Sequence, residues 1–311
     1  MPARPEVSVV IPTRDRWDLV ARALRGALAQ RDVSLEVIVV DDGSTEPAPP
    51  ELVSSPQHPV VIHRNEVSCG VAQARNTGIQ QASADWVALL DDDDLWAPAK
   101  LRAQLDRVQA DSADFVYSAA VVVDAALRPT RLLRPPSPGE LSDAIRVHNA
   151  IPAGQSNLLV RTSLLRELGG FDERLSMSAD WEMWIRLVAA GTPQVCAGVH
   201  VAWVIHDANM HLVDRGPNPD FDELAARHPR DPATRRRAEI FEAKWRAYGH
   251  RRAGERLAAA REYLAAALAH RSPGMLARGV GVLAGERVMA LAGSGAELPT
   301  PADVAWLDAY R

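Results

Sequence analysis

The 311-residue chain has little cysteine, almost no lysine and no long apolar run. Its two cysteines, Cys69 and Cys196, lie far apart and in no metal-like spacing, which argues against a disulfide scaffold and fits a reducing compartment. Lysine stands only at 100 and 244, so the basic complement is nearly all arginine, a bias that reads as genomic base composition rather than function. A net charge of −5 leaves no global basic field to draw the chain to nucleic acid. No apolar run approaches the roughly 20 residues of a membrane span, and Met1-Pro2-Ala3-Arg4-Pro5 is not an apolar signal segment. The expectation is a cytoplasmic protein without a transmembrane segment, with peripheral contact at a membrane left open. What is present, 47% hydrophobic and 24% charged residues, is ordinary for a globular chain and argues against disorder. The length allows one large domain or two ordinary ones.

The first hundred residues alternate between two periods. Val7–Ile11, Leu35–Val40, Val60–Ile62 and Trp86–Leu90 are short, largely apolar runs suited to buried parallel strands. Between them, Trp17–Gln30 and Val71–Gln81 carry helical spacing, and Ala97–Ala110 follows with Pro98 in its first turn. This alternation predicts an α/β fold with a mainly parallel sheet flanked by helices. Further on, Phe115–Val123, Asn157–Val160 and Val199–Ile205 read as strands, Asp180–Ala190 as an amphipathic helix, and 128–155, rich in Pro and Gly, as a loop. After Asp214 the texture becomes Ala- and Arg-rich. The expected domains are 1–214, with halves 1–110 and 111–214, and a helical C-terminal region over 215–311.

Ligands of parallel sheets bind beyond the carboxyl ends of the strands. Three polar clusters fall there: Pro12-Thr13-Arg14-Asp15, Asp41-Asp42-Gly43-Ser44 and Asp91 to Asp94. Four consecutive carboxylates repel one another and resist burial. A divalent cation removes the conflict, and oxygen-only ligands favour Mg²⁺ or Mn²⁺, which take remaining ligands from substrate phosphates. The plainer readings are a solvated acidic turn for Asp91 to Asp94 and an ordinary turn for Asp41 to Ser44.

The strings VSVVIPTRDR, VIVVDDGST, GVAQARNTGI, WVALLDDDDLW, LGGFDE and SADWEMWIRL occur in that order. As an ordered set over about residues 6 to 210 they resemble the family 2 inverting glycosyltransferases of the GT-A fold. The resemblance implies a Rossmann-like sheet and a nucleotide-sugar donor, a UDP-sugar most commonly. It places Pro12, Thr13, Arg14, Asp41, Asp42, Arg75, Asp91, Asp92 and Asp93 at the nucleotide-sugar. Asp93 and Asp94 would hold the metal, with His206 a further ligand and His211 a weaker one. Asp180 takes the position of the catalytic base, where Ala179 replaces the usual preceding Glu. Arg14 and Asp15 replace the family's frequent Tyr and Asn, and an arginine plane can stack on a base instead. Gly170, Asp172 and Trp181 fall on the acceptor side. The acceptor class extends over glycans, lipid-linked sugars, peptides and small metabolites.

The chemistry is consistent with these residue types. Inverting transfer is a single in-line displacement that needs a base for the acceptor and an electrophile for the departing diphosphate. For Asp180 the plainer reading is a carboxylate interacting with a helix dipole. For Asp172 it is a turn cap, and for Trp181 a core or wall residue. A nucleotidyltransferase would want a Gly-rich basic loop after the first strand, and PTRDRWD has no glycine. A nucleotide-sugar-binding protein without turnover is the other alternative.

Overall fold

The computed structural model describes residues 4–53, 58–206, 218–285 and 297–311. The chain divides into two compact units. One comprises the chain up to Ile145, Asn149–Ile205 and Leu298–Arg311; the other comprises Arg146–His148 and the described residues from His206 to Glu297.

The first unit is built on one sheet. Strands β1 (Val7–Thr13), β2 (Leu35–Asp41), β3 (Val60–Arg64) and β4 (Trp86–Leu89) pair in the order β3-β2-β1-β4, all parallel. The apolar runs dictate this: β1 is buried along its whole length, which needs layers on both faces. Helix α1 (Trp17–Leu28) buries Val20, Ala23, Leu24 and Ala27, one stripe at helical spacing. Helix α2 (Val71–Gln81) packs on β1 and β2, and α3 (Lys100–Asp111) follows the two-residue strand β5 (Leu95–Trp96).

Beyond β4 the sheet becomes mixed. Strands β6 (Phe115–Asp124), β8 (Leu159–Arg161) and β9 (Pro193–Ile205) extend it in the order β4-β8-β6-β9-β5. Here β4–β8, β8–β6 and β9–β5 are antiparallel, while β6–β9 is parallel. The parallel half is the one expected from the sequence, and the mixed half comes from chain reversals that apolar patterning does not encode. The expected loop over 128–155 is corrected. It holds β7 (Pro129–Leu133), paired antiparallel to β6, then α4 (Pro138–Ile145) and a 3-10 turn, Gly154–Asn157. Pro129 is tolerated as the first residue of an edge strand, and Pro138 opens a helix where its missing N–H costs nothing. Ser137 donates to Glu140 from its backbone N–H (3.0 Å) and its hydroxyl (2.6 Å), which fixes the helix start. Asn157, expected in a strand, ends the 3-10 turn instead. Helices α5 (Thr162–Glu167) and α6 (Ala179–Ala190) complete this stretch.

The last residues rejoin the sheet unit through α11 (Pro301–Val304) and a terminal 3-10 turn. Leu307 is buried with Leu95, Val121 and Val204. Trp306 Nε1 donates to the Val199 carbonyl (3.1 Å) and the Tyr310 hydroxyl to the Trp96 carbonyl (2.7 Å). The stretch expected to be one helical region over 215–311 is therefore divided, because its final turn carries apolar side chains that complete the core around β5 and β9.

The second unit consists of helices α7 (Phe221–Arg227), α8 (Pro232–Arg252), α9 (Arg256–His270) and α10 (Pro273–Ala284). Asp231 caps α8 by accepting from the Ala233 and Thr234 N–H groups, both at 3.0 Å. The core between α8, α9 and α10 is largely alanine, with Tyr263, Met275 and Val282. Two arginines of this Arg-rich stretch have partners within it: Arg246 pairs with Glu262 (2.8 Å) and Arg256 donates to the Leu283 carbonyl (2.9 Å). No described helix is long and apolar enough to cross a membrane.

Candidate active site

Parallel pairing brings the ends of β1, β2 and β4 to one edge, with Thr13 in register with Asp41. Two residues past β4, the backbone folds into a tight turn in which the Asp94 N–H donates to the Asp91 carbonyl (3.2 Å). The turn sends alternate carboxylates in different directions. Asp91, Asp93 and Asp94 present oxygens within 4.8 Å of one another, the one such group among the described residues. Asp92 turns away from them. It is buried, accepts from the Thr13 hydroxyl (2.7 Å) and pairs with Arg16 (3.3 Å). Burial pushes its carboxyl up to about 7 against the opposing Arg16 charge, with Asp93 adding to the rise. Thr13 and Asp92, both expected at the nucleotide-sugar, bond each other and brace the turn.

Burial also raises Asp94 well above the ordinary carboxylate range, and the neighbouring Asp93 and Asp91 charges raise it further. Its Oδ1 accepts from the Val204 N–H (3.2 Å) at the end of β9. Arg16 lies 3.0 Å from Asp93. A divalent cation fits this group: the donors are all carboxylate oxygens, and their mutual repulsion is what a cation would remove. His206, expected as a further ligand, belongs to the second unit, and His211 lies outside the described residues.

Asp41 and Asp42 are both buried. Asp41 accepts from the Ser44 N–H (2.9 Å), with Arg64 at 3.2 Å from its other oxygen. Asp42 takes four hydrogen bonds, from Asn65 Nδ2 and the Cys69 N–H on Oδ1 and from Ser68 Oγ and the Gly70 N–H on Oδ2, at 2.7–2.9 Å. Burial alone would raise its carboxyl, but these bonds hold it below the usual range. A carboxylate has about four acceptor sites, and all are filled. Asp42, one of the acidic pair expected at the nucleotide-sugar, shapes the 65–70 loop. Arg14, largely exposed, donates to Ser68 Oγ (3.0 Å) on the same loop, and Pro12 is buried in β1.

Arg75 is buried on α2, bonds Asp91 Oδ1 at 2.8 Å and lies 5.4 Å above the Phe171 ring. Phe171 belongs to the LGGFDE string, and Asn76, next to Arg75, clamps it. Asn76 Oδ1 accepts from the Phe171 N–H (2.7 Å) and Nδ2 donates to the Phe171 carbonyl (2.8 Å). Gly170 has φ +71°, and a Cβ there would lie 2.3 Å from Asn76 Oδ1, so this turn needs glycine for both conformation and space. Arg186 donates to the Leu168 and Gly170 carbonyls (2.5 and 2.8 Å) while paired with Glu182. Asp172 accepts from Arg174. Gly170 and Asp172, expected on the acceptor side, belong to the turn that places Phe171 under Arg75. Trp181, expected on the acceptor side with a wall residue as the plainer reading, is 4% exposed and its indole N–H donates to the Ile145 carbonyl (2.5 Å).

Asp180 sits in the first turn of α6. Its Oδ1 accepts from the Trp181 N–H (2.7 Å) and its Oδ2 from Asn149 Nδ2 (2.8 Å). Burial raises its carboxyl above the ordinary value, opposed by the Arg75 charge. Arg75 therefore links the two acidic centres, bonded to Asp91 and felt by Asp180. Asn149 supplies the partner that Ala179 cannot. Sequence reading missed Asn149, Arg16, Gln155 and Ser156. For Asn149 no sequence signal existed, whereas Gln155-Ser156-Asn157, a polar triplet directly before the apolar run of β8, was a usable one. Gln155 Nε2 donates to Asp91 Oδ2, and Ser156 Oγ accepts from the Asp91 N–H (3.0 Å).

The sequence profile of Glycosyl transferase family 2 matches residues 8–169. The chain belongs to this family. An uncharacterized glycosyltransferase of Haemophilus influenzae is 29% identical over 184 residues, 58% of this chain and 62% of that protein. The succinoglycan biosynthesis protein ExoO of Rhizobium meliloti is 30% identical over 202 residues, 60% of this chain and 57% of that protein. The chain thus matches less than two thirds of the length of these relatives. Among solved structures, S. aureus TarS 1-349 in complex with UDP-GlcNAc aligns with a TM-score of 0.60 at 16% identity, covering 92% of this chain and 83% of that one. The mannosyltransferase PcManGT from Pyrobaculum calidifontis, in complex with GDP-Man and Mn²⁺, aligns with a TM-score of 0.58 at 21% identity, covering 99% and 86%. These structures share the fold: the mixed sheet with flanking helices is that of the GT-A glycosyltransferases.

Proposed function

We propose that this family 2 member is a metal-dependent, inverting glycosyltransferase that moves a sugar from a nucleotide-sugar, a UDP-sugar foremost, to a nucleophile of an acceptor. The observation that carries this reading is the arrangement around Arg75. A carboxylate of raised pKa, Asp180, and a three-carboxylate group, Asp91, Asp93 and Asp94, share one buried guanidinium, which bonds Asp91 and whose charge acts on Asp180. In-line displacement needs a proton acceptor on one side of the anomeric carbon and charge stabilisation on the other. Asp180 receives the acceptor proton on its carboxylate, with Asn149 and the Trp181 N–H fixing its rotamer. Its raised pKa keeps it a stronger base than a solvated Asp. Asp91, Asp93 and Asp94 would hold Mn²⁺ or Mg²⁺, which when bound supplies Lewis-acid stabilisation of the departing diphosphate. Pro12, Arg14 and Asp41 stand at the nucleotide end of the edge, with Asp42 acting through the 65–70 loop.

The donor reading is supported by the UDP-GlcNAc and GDP-Man complexes of the two solved relatives. The acceptor class extends over glycans, lipid-linked sugars, peptides and small metabolites; the similar ExoO is named a succinoglycan biosynthesis protein. Two measurements test the proposal. Calorimetric titration of UDP in the presence of Mn²⁺ should show binding that Asp93→Asn or Asp94→Asn abolishes while the fold survives; unchanged affinity in both would sink the metal assignment. Asp180→Asn should keep donor affinity and cut transfer by roughly 10²–10⁴-fold, and NMR of the product should show an inverted anomeric centre, a retained centre contradicting the single displacement.

A further inference from the structure

Gln155 is 8% exposed and its amide has two unequal ends. Nε2 donates to Asp91 Oδ2, which fixes the orientation of the group, because a carboxylate only accepts. Oε1 is buried and has no hydrogen-bond partner. A buried amide carbonyl without a donor costs roughly 1–3 kcal/mol, so one left open on a rigid element points to a ligand that completes it.

The element is rigid. Within the 3-10 turn Gly154–Asn157, Asn157 Nδ2 donates to the Ser118 and Pro152 carbonyls (2.7 and 2.9 Å) and Asn157 Oδ1 accepts from the Ser118 hydroxyl (2.7 Å). Gln104 Nε2 donates to the Asn157 carbonyl (2.7 Å), and Trp96 Nε1 to the Ser156 carbonyl (2.6 Å). The turn also spans the two halves of the site. A Cβ on Gly154 would lie 3.4 Å from Asp180 Oδ2 and 3.9 Å from Asn149 Nδ2, while the next side chain bonds Asp91. In a displacement between a base at Asp180 and a diphosphate at the acidic group, the transferred sugar occupies the space between them.

We infer that Gln155 reads the transferred sugar, its Oε1 accepting a hydrogen bond from one sugar hydroxyl of the nucleotide-sugar. This rests on the donor reading above and assigns a specificity-determining residue within it. Nothing else in Gln155 serves that purpose: its Nε2 positions Asp91, and its backbone carbonyl is used by the Leu158 N–H (3.1 Å). Sites built to bond a hydroxyl reject analogues that lack it far more strongly than apolar pockets do.

The test pairs a deletion on the ligand with one on the protein. UDP-glucose, UDP-galactose, UDP-GlcNAc and GDP-mannose are titrated calorimetrically with Mn²⁺. For whichever binds tightest, analogues each lacking one sugar hydroxyl are compared on the native protein and on Gln155→Leu. One analogue should bind the native protein about 10–100-fold more weakly than its parent. On Gln155→Leu that analogue and its parent should bind within about threefold of each other, since the partner is gone, and UDP alone, which feels only the lost bond to Asp91, should lose much less affinity than the parent does. The inference is overturned if no single hydroxyl matters, if the discrimination persists in Gln155→Leu, or if UDP binding falls as much as sugar-nucleotide binding. Gln155→Met, closer in shape, repeats the measurement; failure of both variants to fold would mark the residue as structural and overturn the inference too. If the native protein binds none of the four nucleotide-sugars, the donor reading itself falls, an outcome distinct from binding without coupling to Gln155.

Discussion

Lys100 is enclosed completely at the start of α3, with 0% exposure. Its ammonium donates to Gln104 Oε1 (2.9 Å) and lies 3.9 Å from the Trp96 ring centroid. Burial in this apolar setting pushes it down to about 7 from 10.5, only weakly opposed by Cys196. In the unfolded chain the same lysine keeps its proton to about pH 10.4. Between those values the unfolded state binds one more proton than the folded state, so stability rises with pH, by up to about 1.4 kcal/mol per unit. From pH 7, where the folded group is half protonated, to pH 8.5 the gain is about 1.5 kcal/mol. At the usual sensitivity of a unit this size that contribution alone is worth roughly 3–6 °C in melting temperature. The window ends at 8.5 because burial pushes Cys196 up to about 11. Above the unfolded thiol's pKa, near 8.5, the unfolded chain releases that proton first, which works in the opposite sense. Lys100→Met fills the space of the stem without the charge and should lose this contribution over the same window. Thermal denaturation of both proteins at pH 7.0, 7.5, 8.0 and 8.5 decides the matter. Asp92 and Asp94, whose carboxyls burial raises, pull the absolute profile the other way as pH rises, so the lysine's contribution is read as the difference between the two proteins, and an equal slope in Lys100→Met would refute the reasoning. The outcome bears on the site, because Trp96 also holds the Ser156 carbonyl.

Gly170→Ala should destabilise the sheet unit by about 1–3 kcal/mol, since a Cβ there meets Asn76 Oδ1 at 2.3 Å; urea titration measures it, and a change under about 0.5 kcal/mol would remove the steric argument. Asp42→Ala should cost on the order of 2–4 kcal/mol at pH 7 through the loss of four hydrogen bonds to a carboxylate. Because the folded carboxyl is held low, that stability is present above the unfolded value near 3.9 and is lost as pH falls through the folded one. The native and variant proteins should therefore converge in acid, and a constant gap down to pH 3 would contradict the assignment.

The first four strands and the helices between them were legible because each buried strand in a parallel array must be apolar along its length, as β1 and β2 are. The acidic run after β4 was legible because four adjacent carboxylates on a buried strand end have few purposes other than binding. By contrast, 128–155 misled: proline and glycine mark chain reversal, yet Pro129 and Pro138 occupy the positions that a strand edge and a helix start tolerate. The strand β5 was invisible, since two residues carry no period.

The sequence by itself determined the parallel half of the sheet, the polar clusters at its edge and the order of motifs that marks the family. Only the tertiary structure decided what each polar side chain does there. Asp42 and Asp92 are chemically the same as Asp91 and Asp93, and nothing in their local pattern separates them. Their roles diverge because residues far along the chain, Asn65 to Gly70 for one and Thr13 and Arg16 for the other, fill their oxygens. Asn149 and Gln155 join the site for the same reason in reverse: an amide becomes functional when folding brings it to a carboxylate from another element, a pairing that periodicity cannot record because it depends on distance in space rather than along the chain.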